Sequence, residues 1–225
     1  MKEKLSIEKL IEEARDFCEA ESLYENKELF GITDGKAVGT FIEQKFKNQL
    51  KRKYLLEVGN TAKGIDLPDE EILTDIKVTS NKQPQSSCPF KDAKQKIFGL
   101  GYNLLIFVYE KTDNAKTKTA RLHFVSCAFI SKERTADFTT TSILNEMKKI
   151  GANEEDIIAF LEGIKLPADE ISLQQVAQLI LSADIPIGYL TISNALQWRL
   201  QYARVRDLDE EIAGIEQIIS YKKPL

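Results

Sequence analysis

The chain has 225 residues, 43% of them hydrophobic and 29% charged, with a net charge of −4. That length suffices for one domain, or a core with an appended lobe, and for a core that needs no disulfide or metal staple. The longest apolar run, Leu104 to Tyr109, is far too short to span a bilayer. The opening Met1-Lys-Glu-Lys-Leu-Ser has no secretory-signal character. Cys18, Cys88 and Cys127 form neither a pairable set nor a zinc pattern, so a reduced, cytoplasmic protein with no membrane partner is expected. Taken whole, the net acidity speaks against a general nucleic-acid binder.

Ser6 caps a first helix whose apolar residues Ile7, Leu10, Ile11, Ala14 and Phe17 recur at helical spacing. Residues 24–39 read as a loop broken by Gly31, Asp34-Gly35 and Gly39. Thr40-Phe-Ile-Glu43 reads as a capping box opening a second, basic helix to about Tyr54. A short strand over Gly64–Pro68 precedes an alternating strand over Glu71–Ser80. In it Ile72, Thr74, Ile76 and Val78 share one face, and Asp75, Lys77 and Thr79 share the other.

A polar loop, Asn81 to Ser87, leads into a helix predicted over Pro89–Phe98 and closed by Gly99. Asn103–Glu110 reads as a buried central strand, Lys111–Thr119 as a turn and Ala120–Ser131 as a further strand, with the single histidine, His123, packed in the core. Beyond Thr140 the pattern turns helical: one helix capped by Asn153, one starting at Ser172, and a long one from Ser193 to about Ser220. The fold class expected is α/β (α+β), a mixed central sheet flanked by helices. Residues 1–137 form the core with its N-terminal helices, and residues 138–225 form a helical C-terminal lobe of the same compact unit.

Charge is unevenly distributed. Residues 45–63 carry six bases and one acid, residues 64–75 five acids and no base, and residues 77–121 nine bases and three acids. Most of the excess acid lies before and after this central third. Phosphate binding needs local positive charge, so the whole-chain value does not exclude it.

Asp75 and Lys77 are two apart on a strand and project from one side of the sheet. Asp66 ends the preceding strand, and an adjacent pairing brings it near Asp75. Two such carboxylates, with the Ile76 carbonyl and water, form a hard-oxygen site suited to Mg²⁺. An ammonium beside it can orient an attacking water. Asp66 … Asp75-Ile76-Lys77 resembles the PD-(D/E)xK nuclease signature. The tract Asp75-Ile-Lys-Val-Thr-Ser-Asn-Lys82 is similar to the catalytic strand of blunt-cutting type II restriction endonucleases of the EcoRV and HincII kind. The resemblance covers roughly residues 38–130. It implies an αβββαβ core, Asp66 and Asp75 as metal ligands, Lys77 positioning the nucleophilic water, and Glu43 as a catalytic residue near the site, assisting a metal through water. The literal Pro-Asp pair is Pro68-Asp69, so Asp69 competes with Asp66 as first acid. Asp66 is preferred, because five residues between Asp69 and Asp75 leave little room for a turn.

The resemblance implies a Mg²⁺-dependent endonuclease that cuts double-stranded DNA at a short palindrome and leaves 5′-phosphate and 3′-hydroxyl ends. A homodimer matches a two-fold site. A DNA methyltransferase would be its functional, not physical, partner. A repair or junction-resolving nuclease, and a non-catalytic DNA-binding protein, are the alternatives. Gln83, Gln85, Ser86 and Ser87 are candidates for base or phosphate contacts, and Lys82, Lys91, Lys94 and Lys96 for phosphate contacts. Trp198, Arg199, Tyr202, Arg204 and Arg206 cluster in the C-terminal segment. There, with Leu196 and Leu200, they fit lobe packing or a dimer seam better than DNA contact.

Overall fold

The computed structural model describes residues 2–56, 64–88, 91–193 and 198–220. In chain order the first elements are β1 (Glu3–Lys4), α1 (Ile7–Leu23), β2 (Glu25–Asn26), α2 (Gly35–Lys53) and β3 (Tyr54–Leu55). There follow β4 (Thr74–Ser80), β5 (Gln85–Cys88), α3 (Gln95–Phe98), β6 (Asn103–Asn114) and β7 (Thr119–Ile130). The C-terminal part holds α4 (Phe138–Lys149), α5 (Glu154–Gly163), α6 (Glu170–Ser182), β8 (Thr191–Ile192), β9 (Trp198–Gln201), α7 (Ala203–Arg206) and β10 (Ile215–Ile219). They form two compact units. One comprises residues 1–85, 102–131 and 205–225, and the other residues 86–101 and 132–204.

The first unit is built on a mixed sheet in the order β10-β7-β6-β4, with β2 also on β7. β4 runs parallel to β6, and β6 and β7 form a long antiparallel hairpin. The expected mixed central sheet flanked by helices is therefore present. α1 packs on β7 and α2 on β4. Their apolar stripes, Leu10, Ala14 and Phe17 on α1 and Val38, Ile42, Phe46 and Leu50 on α2, are buried against Leu105, Phe107 and Phe124 of the sheet. Phe17, Phe46 and Phe107 meet edge-on or tilted with centroids 5.1–5.8 Å apart. Truncating Phe107 to Ala would cost roughly 3–5 kcal/mol, as for other large core residues.

Several boundaries differ from the sequence reading. α2 starts at Gly35, because Asp34 accepts from the Lys36 and Ala37 N–H groups and so caps it ahead of Thr40. Gly39 thereby falls inside the helix, where a Cβ would stand 3.1 Å from the Val78 carbonyl oxygen; its lack of a side chain lets α2 approach β4 closely. The segment Gly64–Pro68 makes no ladder but a single antiparallel bridge, Leu67 to Thr74. His123 is exposed, since strand alternation turns Leu122 and Phe124 inward and Arg121 and His123 outward.

In the second unit Ile97, Leu144, Ile157, Leu161, Val176 and Ile180 make a separate apolar core. Asn153 caps α5 in a capping box, as the sequence indicates, whereas α6 is capped by Asp169 rather than begun at Ser172. The polar loop expected over Asn81–Ser87 ends in β5. The helix expected from Pro89 is only α3, with Pro89 itself outside the described residues. Gly99, at φ +88°, does terminate it.

Among the described residues of 193–220 the expected long helix is not formed. Its last part, rich in β-branched Ile215, Ile218 and Ile219, instead completes the first unit's sheet as β10 on β7. A free sheet edge outweighs helical spacing there. Leu196 and the Trp198 side chain lie outside the described residues.

Candidate active site

The site is assembled at the outer edge of β4. The bridge Leu67–Thr74 is closed by two backbone hydrogen bonds of 3.0 Å, which set Asp66 and Asp75 on adjoining positions of an antiparallel pair. Asp66 Oδ2 accepts from the Ile76 N–H at 2.9 Å, on the edge of β4 away from β6. Lys77 Nζ lies 2.6 Å from Asp75 Oδ2, with Asp75 5% and Lys77 21% exposed at the side chain. Period-two alternation thus delivers an almost fully buried acid and a partly accessible base to one place.

α2 supplies a group that the sequence reading missed. Lys47 is 6% exposed at its side chain, and its ammonium donates to Glu43 Oε1 at 2.6 Å and Asp66 Oδ1 at 2.9 Å. Glu43-x-x-x-Lys47 is the i,i+4 spacing of a helical ion pair, a visible signal that is ordinarily read as surface chemistry. Glu43 is therefore brought to the cluster through Lys47. Its predicted role as fourth member of a capping box falls away, since the helix begins five residues before Thr40.

The electrostatics follow from crowding. Burial raises the Asp75 carboxyl to about 6; Lys77 opposes this, and hydrogen bonding and repulsion from Asp66 add to it. For Asp66 burial acts in the same sense, but hydrogen bonds from Lys47, Asp75 and the Ile76 N–H hold it below the usual range. Burial, reinforced by Asp66, raises Glu43 against the pull of Lys47. Lys47 is raised too, as its two carboxylates outweigh its desolvation. Two neighbouring carboxyls pushed apart in pKa mark a place where a shared proton stands in for a missing positive charge.

That donor set fits a hard divalent cation. Among the described residues no three acid, histidine or cysteine side chains are gathered as a metal cluster. Asp66 and Asp75 would thus be the side-chain ligands, with the Ile76 carbonyl and water completing the shell, the sparse protein ligation usual for Mg²⁺. Asp69, the competing first acid, is engaged elsewhere: it pairs with Lys4 at 3.5 Å and accepts from the Glu71 N–H.

The predicted DNA-contacting residues are spread along the chain after β4. Lys82 and Gln83 are exposed, and the Thr79 hydroxyl fixes the backbone at Gln83 and Gln85. The Ser86 hydroxyl is hydrogen-bonded to the buried Tyr202 hydroxyl. Ser87 and Lys91 are exposed and Lys94 is half-buried. Lys96 is not available to phosphate. It is buried and donates to the Ile192 carbonyl at 2.8 Å, and burial lowers its pKa.

The basic stretch after residue 44 is also less positive in effect than in composition. Lys45 pairs with Glu21, Lys47 with the site acids and Lys53 with Glu13. In the C-terminal segment the Arg204 guanidinium lies 3.7 Å over the Phe138 ring, and Arg206 donates to Asn81 Oδ1 at 2.8 Å.

A mixed sheet with two acids and a lysine at its edge is the arrangement expected of a nuclease, and it is the comparisons that give the class: the chain belongs to the type II restriction enzymes. The family described as "Type II restriction enzyme NspV" matches it over residues 4–217. It is 54% identical over 211 residues to the type II restriction enzyme NspV of Nostoc sp., covering 94% of this chain and 95% of that one. Membership makes it a site-specific deoxyribonuclease. No solved structure matches the chain. Among the described residues no helix is long and apolar enough to cross a membrane.

Proposed function

We propose that the chain is a Mg²⁺-dependent endonuclease of the PD-(D/E)xK kind. It hydrolyses both strands of a short palindromic duplex site to 5′-phosphate and 3′-hydroxyl ends. The observation that carries this reading is the contiguity of Asp66, Asp75 and Lys77 at the free edge of β4. When bound by Asp66, Asp75 and the Ile76 carbonyl, the cation supplies neutralisation of the charge growing on a phosphoryl oxygen and a lowered water pKa. Lys77 would orient the attacking water, its ammonium stabilising the hydroxide that forms while the proton passes to solvent or to a phosphate oxygen. Glu43 acts through Lys47, whose ammonium it holds.

Lys82, Gln83, Gln85, Ser87, Lys91 and Lys94 contact the DNA, and Ser86, held by the Tyr202 hydroxyl, contributes the hydrogen-bonding capacity that this bond leaves over. Phosphate contacts from the lysines position the duplex, and the glutamines read base edges. A homodimer presents one such site to each strand, and a DNA methyltransferase of matching specificity protects host DNA. The chain's location is the cytoplasm, where its DNA substrate would be met.

Incubation of the purified protein with plasmid DNA and Mg²⁺ tests the reading. Discrete fragments that a ligase rejoins are expected, and terminal sequencing then gives the site and stagger. A nonspecific smear, cutting confined to branched DNA, or fragments produced equally in chelator would overturn it.

A further inference from the structure

Lys47 is a buried cation inside the acid cluster, and its place carries a consequence for metal stoichiometry. Its ammonium bridges Glu43 Oε1 and Asp66 Oδ1 at 2.6 and 2.9 Å. Those two oxygens, one from α2 and one from the segment before β4, are thereby taken up by an ammonium, and a second divalent cation drawing on both would have to occupy the same gap. A Mg²⁺ ion needs oxygens at about 2.0–2.1 Å in a full octahedron, so an ammonium and a metal ion cannot share that gap. Charge agrees with geometry. Glu43, Asp66 and Asp75 provide three carboxylates, and Lys47 and Lys77 provide two ammonium groups. With all five ionised, the surplus is one negative charge, which one divalent ion more than neutralises. Removing Lys47 would leave a surplus of two.

We propose that Lys47 is a positioning residue that stands in for a second metal ion, holding Glu43 and Asp66 in place and limiting each site to one divalent cation. This rests on the reading of Asp66 and Asp75 as metal ligands. It accounts for a lysine that is buried in a nuclease site without reaching toward solvent. It also assigns Glu43 its task, that of fixing the ammonium rather than ligating the metal.

Titration of the full chain with Mn²⁺, followed by electron paramagnetic resonance without DNA, reads both the number of ions and whether neighbouring ions are spin-coupled. The wild-type protein should bind one uncoupled Mn²⁺ per chain in the tight phase. Lys47→Gln should bind two, with the broadened spectrum of a coupled pair, and Lys47→Arg should return to one. Glu43→Gln leaves Lys47 in place and should keep a single ion with affinity weakened by about tenfold, the low end of effects from groups outside the coordination shell. Two coupled ions in the wild type, one ion in a folded Lys47→Gln, or loss of Mn²⁺ binding in Glu43→Gln would overturn the proposal. Equal Mn²⁺ binding by wild type and Asp75→Asn would instead overturn the underlying assignment of the metal ligands. A wild-type site that binds one ion and loses it in Asp75→Asn keeps that assignment whichever way Lys47→Gln turns out.

Discussion

Lys47 in the first unit and Lys96 in the second are buried alike, at 5% and 6% exposure, yet their surroundings differ in kind. Lys96 donates to the Ile192 carbonyl, and the nearby Asp137 is already satisfied by the Thr140 N–H and hydroxyl and the Ile192 N–H. Burial then dominates and lowers the Lys96 pKa. Lys47 faces two carboxylates of a cluster of three, and their charge outweighs its burial. A buried lysine with every partner satisfied fastens structure. A buried lysine among surplus acids marks a place built to receive positive charge.

The largest effect is expected at Lys77, the other lysine of the first unit's acid cluster. Lys77→Met should lower the single-turnover rate of DNA cleavage by about 10³-fold or more, in the range found when a single charge-stabilising donor is removed. Lys96→Met should do the reverse. Urea unfolding should show a loss of about 3 kcal/mol, typical when one partner of a buried charged hydrogen bond is removed, with cleavage per folded molecule changed less than about threefold. A catalytic collapse in Lys96→Met would erase the distinction.

The contrast extends to pH. Asp75 rises from 3.8 to about 6 on folding, so the native state binds its proton more tightly than the unfolded chain does. The stability it confers is full below the unfolded value and is lost as pH rises from 3.8 to about 6. Asp66, shifted down, contributes stability that is lost as pH falls through its folded value. In metal-free protein, Asp75→Asn should therefore be more stable than wild type by about 3 kcal/mol well above pH 6, and the difference should shrink toward pH 4. Thermal melts across that range check it. A mutant less stable at every pH would contradict the raised Asp75 pKa.

The smallest effect is at Gly39. Gly39→Ala puts a methyl 3.1 Å from the Val78 carbonyl and should cost about 1 kcal/mol, as modest overpacking does. Because α2 carries Lys47 and Glu43, its Mn²⁺ affinity should weaken along with stability.

These residues also show what the sequence makes legible. Asp75-Ile76-Lys77 and the strand Leu104 to Tyr109 are local patterns: alternation and a continuous apolar run survive folding unchanged. Asn153 is equally local, since a capping box is closed within four residues. Lys47 and Lys96 lie beyond such reasoning, because both are read from sequence as solvated bases and only tertiary packing buries them. The missed start of α2 has the same origin in competition: Asp34 and Thr40 both satisfy a cap pattern, and the packing of Val38 and Gly39 against the sheet selects the earlier one. Ile215–Ile219 follows the edge of β7, 85 residues back in the chain at the Ile215–Ile130 pair, which no helical periodicity can anticipate.

The central claim is that Asp75 is the acid at which metal and scissile phosphate meet. The single-turnover cleavage rate of Asp75→Asn at saturating Mg²⁺ tests it most directly, since Asn keeps the shape and removes the charge. A fall of about 10³-fold or more in folded protein that still binds DNA is predicted; a rate within tenfold of wild type would contradict the account.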